Sequence, residues 1–354
     1  MLWAQIMREL TIGKHLINDE SNCYVIAEIG QNHMGSVETC KQLIDSAHHA
    51  GCAAVKLQKR NNKALFTEAQ YNQPYISDHS FGDTYGTHRE ALEFNWEQYV
   101  ELKAHCDSLG IDFFATAWDF DSTDFLAKLG VPAVKMASGD LQSIPLLKYV
   151  AQMQVPMIIS TGGASFEDVD RALEAIVPIN PQVAILQCTA AYPVEPEDMH
   201  LSVITSFRER YPNHVVGLSD HQNGISMSIL AYALGARIFE KHFTMNRAWK
   251  GGDQAFSLEP EGMRKMVRDL NRAKQAIGNN TKQPYEAEIK PLTKMRKKIV
   301  AKHALAAGHV VQESDLAYKS PGDGMSPWRN TEVIGKKLKK ALNVDDAFTP
   351  EDLE

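Results

Sequence analysis

Between Tyr24 and His242 the chain alternates short, almost wholly apolar runs with longer segments of helical period. The runs are YVIAEIG, AAVKLQ, IDFFATAW, AVKMAS, PMIIST, VAILQCT, VVGLS and ARIFEKHF, centred near Val25, Ala54, Phe113, Val134, Ile158, Ile185, Val216 and Ile238. Apolar runs of this length without strict alternation predict strands buried on both faces, as in a parallel sheet. A helical segment follows each one. Ser36 is placed to cap a helix ending near Gly51, and Ser165 opens another with Glu167 and Asp168 in its first turn. Ile225 to Leu234 is an apolar helix ending at Gly235, and the last helix runs from about Pro260 to Ala276. Eight strand-helix repeats predict an α/β fold, a closed (β/α)8 TIM barrel with its site at the C-terminal ends of the strands. An open doubly wound sheet is the alternative, but AEIGQNHMG after the first strand does not match the glycine-rich loop GxGxxG.

Three stretches fall outside the repeat. Residues 1–20 alternate weakly around Gly13 and Asn18, as a hairpin or cap would. Lys59 to Glu93 is a polar and aromatic insertion too long for a turn, and it is expected to cover a binding site. After Ile277 the apolar period is lost: residues 279–293 read as a linker between a barrel domain, 1–278, and a small, loop-rich, β-containing domain, 294–354. The KKLKK run near the end reads as a solvated face.

Composition narrows the function classes. A formal net charge of -7 without a basic stripe argues against a nucleic-acid partner. No run approaches the roughly 18 apolar residues of a membrane span, and MLWAQIMREL does not read as a signal peptide. Five scattered cysteines, Cys23, Cys40, Cys52, Cys106 and Cys188, never stand in CxxC spacing. They read as free thiols of a reducing, cytoplasmic compartment.

The last polar residues of the strands carry the chemistry. In order they are Glu28, Lys56 and Gln58, Thr116, Lys135 and Ser138, Ser160, Thr189, Ser219 with His221, and Glu240 with His242. Lysines inside runs as apolar as AAVKLQ and AVKMAS are informative, because an unpaired buried ammonium is costly. Two lysines among hydroxyls suit a small phosphorylated or carboxylated anion; the plainer alternative is a salt bridge from each to a neighbouring carboxylate. His221 and His242 end adjacent parallel strands joined by one crossover helix, so both imidazoles face one cleft and suit a divalent metal. Their plainer alternative is a pair of satisfied polar residues, against which stand Asp220, Glu240, Lys241 and Asp253 on the same expected rim. An anion subsite beside a metal subsite suits carbon-carbon bond formation with a phosphorylated enol.

These residues lie in motifs that resemble those of the sialic acid synthase family: AEIGQNHMG, VKLQ, KMASGD, ISTGGAS, QCTAAYP, GLSDH and EKHFT, in the family's order. The resemblance spans nearly the whole chain, and it implies that the C-terminal domain is a SAF (antifreeze-like) domain. It further implies an N-acetylneuraminate synthase-like transferase that condenses phosphoenolpyruvate with N-acetylmannosamine or a related N-acyl hexosamine, giving a nine-carbon 2-keto acid and phosphate. A divalent metal, Mn2+ or Mg2+, bound by His221 and His242, would polarise the sugar aldehyde. Lys56, Thr116, Lys135, Ser138, Ser160 and Ser219 match residues that hold phosphoenolpyruvate; Glu28, Gln58, Tyr192 and Asp253 match positions facing the sugar or the reacting carbons. Glu28 is the group expected to handle a proton. The resemblance also implies a domain-swapped homodimer.

The chain departs from the family pattern at Ala190, Gln254 and Ser320, so the acceptor does not follow from the resemblance. A related synthase using a sugar phosphate would need an extra basic cluster, for which Lys59, Arg60 and Lys63 are the candidates. A catalytically silent carbohydrate-binding or partner-binding barrel would show lost rim lysines or histidines, and none is lost.

Overall fold

The computed structural model describes residues 8–354; Met1–Met7, the first part of the expected N-terminal hairpin or cap, lie outside the described residues. Strands β1 (Glu9–Ile12) and β2 (His15–Asn18) form an antiparallel hairpin. Ile12 and Ile17 are buried, and Lys14 donates to the Gly110 carbonyl, so the hairpin lies against the N-terminal end of the barrel.

Eight parallel strands close on themselves: β3 (Tyr24–Gly30), β4 (Ala54–Lys59), β5 (Asp112–Ala117), β6 (Val134–Met136), β7 (Met157–Ser160), β8 (Val183–Cys188), β9 (Val215–Asp220) and β10 (Ile238–His242), with β10 paired to β3. All eight coincide with the apolar runs read from the sequence. Every residue of β3, β8, β9 and β10 is buried, as expected for strands covered by helices outside and side chains inside. Helix α1 (Val37–Ala50) follows β3, capped by Ser36 and ended by Gly51 in the left-handed region. The insertion after β4 folds into three short helices, α2 (Asn62–Leu65), α3 (Glu68–Tyr71) and α4 (Tyr85–Glu90), before α5 (Trp96–Leu109). Helices α6 (Phe120–Leu129), α7 (Ile144–Ala151), α8 (Phe166–Ile176), α9 (Val203–Arg210), α10 (Ser226–Ala233) and α11 (Pro260–Ile277) complete the repeats. The architecture is a (β/α)8 TIM barrel.

Gly217 sets how closely β8, β9 and β10 approach. A Cβ there would lie 2.3 Å from the Ile238 carbonyl oxygen and 2.5 Å from Leu186 Cδ2. Only a residue without a side chain fits at this distance, and the same strands end in the residues of the site.

The described chain divides into two compact units, the first ending at Gly278 and the second spanning Asn279–Glu354. Within the second, β11 (Lys298–Ala301) pairs antiparallel with β12 (Leu316–Lys319) over a small core that includes Ile299, Leu305, Val311, Leu338 and Phe348. The stretch read as a linker contains a helix, α12 (Glu286–Met295). Glu288 accepts from the Tyr285 amide at its start, and the Thr293 carbonyl accepts from Gly322 near its end. None of its residues is buried, which is why its sequence shows no apolar period.

Candidate active site

Strand register brings the ionisable side chains together. Glu28 lies level with Lys56, Thr116 with Lys135, and Ser219 with Glu240. Lys56 Nζ consequently sits 2.7 Å from Glu28 Oε2 and 2.9 Å from Thr116 Oγ1. Glu240 bridges the two lysines: its Oε2 is 3.8 Å from Lys56 Nζ and its Oε1 is 3.8 Å from Lys135 Nζ, while Ser219 donates to Oε1 at 3.1 Å. All four charged groups are buried. The two lysines are not equivalent. Lys56 is engaged by Glu28 and Thr116, whereas Lys135 gives one hydrogen bond, to the Met136 carbonyl at 3.0 Å, and keeps unused donors.

This unequal pairing splits the carboxyls. Burial raises the Glu28 carboxyl to about 7, against the pull of Lys56. Burial would raise Glu240 too, but Lys135 and then Lys56 outweigh it and hold it below its ordinary value. Burial depresses the Lys135 ammonium. One carboxyl near neutrality beside one firmly ionised carboxylate is an arrangement suited to proton transfer.

The remaining polar residues surround this cluster. Gln58 donates to Glu28 Oε1 at 2.8 Å and accepts from Arg60. Ser138 Oγ accepts from the Gly162 amide at 3.0 Å and lies 3.5 Å from Cys188 Sγ. The buried Ser160 hydroxyl has no hydrogen-bond partner among the described residues.

His221 and His242 face each other with ring centroids 5.5 Å apart. Tyr192 packs on His221 at 4.1 Å and Phe256 on His242 at 5.0 Å, so two aromatic rings wall the pair. His221 Nδ1 lies 3.0 Å from the Thr189 carbonyl. A carbonyl can only accept, so Nδ1 carries the proton and Nε2 presents a lone pair. Burial, followed by the neighbouring His242, lowers His221 to about 4, and burial lowers His242 as well. His242 Nδ1 is buried without a hydrogen bond and stands 3.8 Å from Asp253 Oδ2. Among the described residues no ready-made group of three or more His, Cys, Asp or Glu ligands is present. Two neutral imidazoles, one with an orphaned nitrogen, and an adjoining carboxylate nevertheless fit a divalent ion.

Asp220 and Lys241, expected on the same rim, are spent on each other at 2.7 Å. Side-chain period two explains this, since Lys241 points to the opposite face from Glu240 and His242. Gln254 is fully buried and accepts from Thr244 while donating to the Asn32 carbonyl at 3.2 Å, so it braces the loop after β10. Lys59 pairs with Glu93 at 2.9 Å and Lys63 is exposed, so of the three basic residues only Arg60 approaches the mouth, through Gln58. That Glu240 shares a face with His242 was readable from their period-two spacing; its place between the two lysines was not. Phe256 carried no such signal, because it sits in an irregular loop.

Comparison with known proteins identifies the family. A model of the NeuB family matches residues 43–282, and one of the SAF domain matches residues 296–354. N-acetylneuraminate-9-phosphate synthase of Mus musculus is 37% identical over 94% of this chain and 93% of its own length. N,N'-diacetyllegionaminic acid synthase of Legionella pneumophila is 31% identical over 94% and 95%. The crystal structure of an N-acetylneuraminic acid (sialic acid) synthetase from Leptospira borgpetersenii, in complex with citrate, superposes with a TM-score of 0.72 at 29% identity, covering 82% of this chain and 97% of that one. With both the barrel and the C-terminal unit matched, the chain belongs to the NeuB family of synthases and carries a SAF domain at its C-terminus.

Proposed function

We propose that the protein condenses phosphoenolpyruvate with the open-chain form of an N-acyl hexosamine, giving a nine-carbon 2-keto sugar acid and phosphate. The observation that carries this reading is the pair of buried lysines bridged by Glu240 beside two neutral imidazoles, at the end of the barrel where such sites lie. Lys135, with unused donors, and Lys56 hold the phosphate and carboxylate of phosphoenolpyruvate; Thr116, Ser138, Ser160 and Ser219 orient it. Bringing that anion into the pocket adds negative charge beside Glu28 and drives its carboxyl further toward the protonated form. Glu28 then exchanges a proton with the water that adds at C2 or with a sugar hydroxyl, and Gln58 keeps it in place. A divalent ion, manganese or magnesium, would be held by His221, His242 and Asp253 and would supply polarisation of the acceptor aldehyde. The buried Phe256 ring, with the half-exposed Tyr192 ring packed 5.6 Å from it, walls that side of the pocket.

We place the reaction in the cytoplasm, where five free thiols are stable, and in a domain-swapped homodimer, for which exposed apolar residues of the SAF unit such as Trp328 provide a surface. No described helix is long and apolar enough to cross a membrane.

The test is phosphate release from phosphoenolpyruvate with N-acetylmannosamine or its 6-phosphate as acceptor. Release should require the acceptor, fall to background after chelation and return with manganese. Release that is independent of acceptor would rule the condensation out.

A further inference from the structure

Arg60, directly after β4, is a buried cation for which the chemistry above has no use. Its guanidinium stacks on the Trp118 ring at 4.4 Å, and Glu93 accepts from its backbone amide at 3.3 Å, so the residue is held at both ends. Its one ion pair among the described residues is long: Glu93 Oε1 stands 3.9 Å from Nη1, and that carboxylate is already engaged by Lys59 at 2.9 Å. Nη1 itself is buried without a hydrogen bond among the described residues. Burial, and then repulsion from Arg89, lowers the guanidinium to about 10, so it remains a cation at neutral pH. An arginine kept for stability alone would be saturated by carboxylates, since a poorly paired buried charge is costly. This one instead gives its other terminal nitrogen, Nη2, to the neutral Gln58.

That hydrogen bond has a direction. A guanidinium offers only donors, so Gln58 can meet it only through its carbonyl oxygen. The amide nitrogen is thereby left for Glu28, whose Oε1 accepts from Gln58 Nε2 at 2.8 Å. The two ends of a glutamine amide are nearly equal in size, and only their partners decide which way it points. Glu28 cannot decide alone, because a carboxylate takes a donor whereas a protonated carboxyl can give its proton to an acceptor. The backbone of Gly30 closes another side of the pair: a Cβ there would lie 3.1 Å from Glu28 Oε1 and 3.2 Å from Gln58 Nε2.

We propose that Arg60 is a positioning residue that locks the Gln58 amide with its N–H toward Glu28 throughout turnover. This rests on the reaction proposed above, in which Glu28 exchanges a proton. With Arg60 in place, the same donor faces Glu28 while the proton leaves and returns. Without it, the amide turns over to follow the proton, and part of each cycle is spent with Glu28 wrongly paired. The loss belongs to the chemical step, because Lys56 and Lys135, which hold the anion, are left as they are.

The experiment measures steady-state kinetics with phosphoenolpyruvate, manganese and whichever of N-acetylmannosamine and its 6-phosphate the wild type uses. Arg60→Met, which still packs on Trp118 but donates nothing, should lower kcat by on the order of 10-fold, with KM for phosphoenolpyruvate within about twofold of the wild type. Arg60→Gln, which can face Gln58 with either end, should lose kcat to a similar degree, and it carries the test if circular dichroism shows that the Met variant does not fold. Arg60→Lys, a cation with donors only, should recover part of the loss. In a Gln58→Met background, Arg60→Met should change kcat by less than about twofold, because its effect passes through that amide. Unchanged kcat in Arg60→Met or Arg60→Gln overturns the proposal, as does an undiminished loss in the Gln58→Met background. A wild type that condenses neither acceptor removes the reaction itself, and with it the step that Arg60 serves.

Discussion

Lys135 is the residue whose state separates an anion site from an ion-pair network. A lysine placed for structure alone would be saturated by carboxylates, as Lys241 is by Asp220 at 2.7 Å. Lys135 instead stands 3.8 Å from Glu240 and has donors to spare. Lys135→Met should therefore raise KM for phosphoenolpyruvate by on the order of 10-fold or more, the loss of a charge-assisted hydrogen bond. An unchanged KM in steady-state assays would return Lys135 to a structural role. His33 provides a second test at this scale. It is buried, stacked on Phe94 at 4.2 Å, and burial lowers it to about 3. The folded form keeps the ring neutral while the unfolded chain takes up a proton below about 6.5, so protons favour unfolding between those values. Stability from this residue is complete above pH 6.5 and is lost as pH falls toward 3, by on the order of 2 kcal/mol at pH 4.5. Urea unfolding at pH 7 and pH 4.5 should show a smaller pH effect in His33→Gln than in the wild type; an identical pH effect would mean that the ring is accessible to protons in the fold.

At the scale of elements, the strands were legible because burial on both faces leaves a plain apolar run, and the rim residues were legible as the polar ends of those runs. What could not be read was how the charges pair. Nothing in AVKMAS or ARIFEKHF says that Glu240 is shared between two lysines while Lys241 turns away to Asp220, since that depends on register between strands about 20 to 200 residues apart. The insertion and α12 were opaque for a different reason. Short helices and exposed faces have no period, so the environment of Arg60 and the helix at Glu286–Met295 leave no pattern. Gln254 likewise shows in sequence only as a missing imidazole, yet it is a buried brace. The close approach of β9 to β10 yields a direct test. Gly217→Ala forces a methyl group against the Ile238 carbonyl and should cost on the order of 1–3 kcal/mol. It should also lower activity, because the same two strands carry His221 and His242. Thermal unfolding and turnover measured together would show this; a variant as stable and active as the wild type would mean that the strands yield without moving the site.

The whole molecule joins a barrel with a chemically crowded mouth to a small second unit with its own core. Relatives of the chain are named for different acid sugars, and in this chain the barrel cluster of lysines, hydroxyls and imidazoles fits the condensation proposed above. The most direct measurement is the mass of the product formed from phosphoenolpyruvate and N-acetylmannosamine, or its 6-phosphate, in the presence of manganese. The account predicts a single new acid heavier than the acceptor by one pyruvate unit, with one phosphate released for each molecule formed. Phosphate accompanied by free pyruvate and unchanged sugar would contradict it.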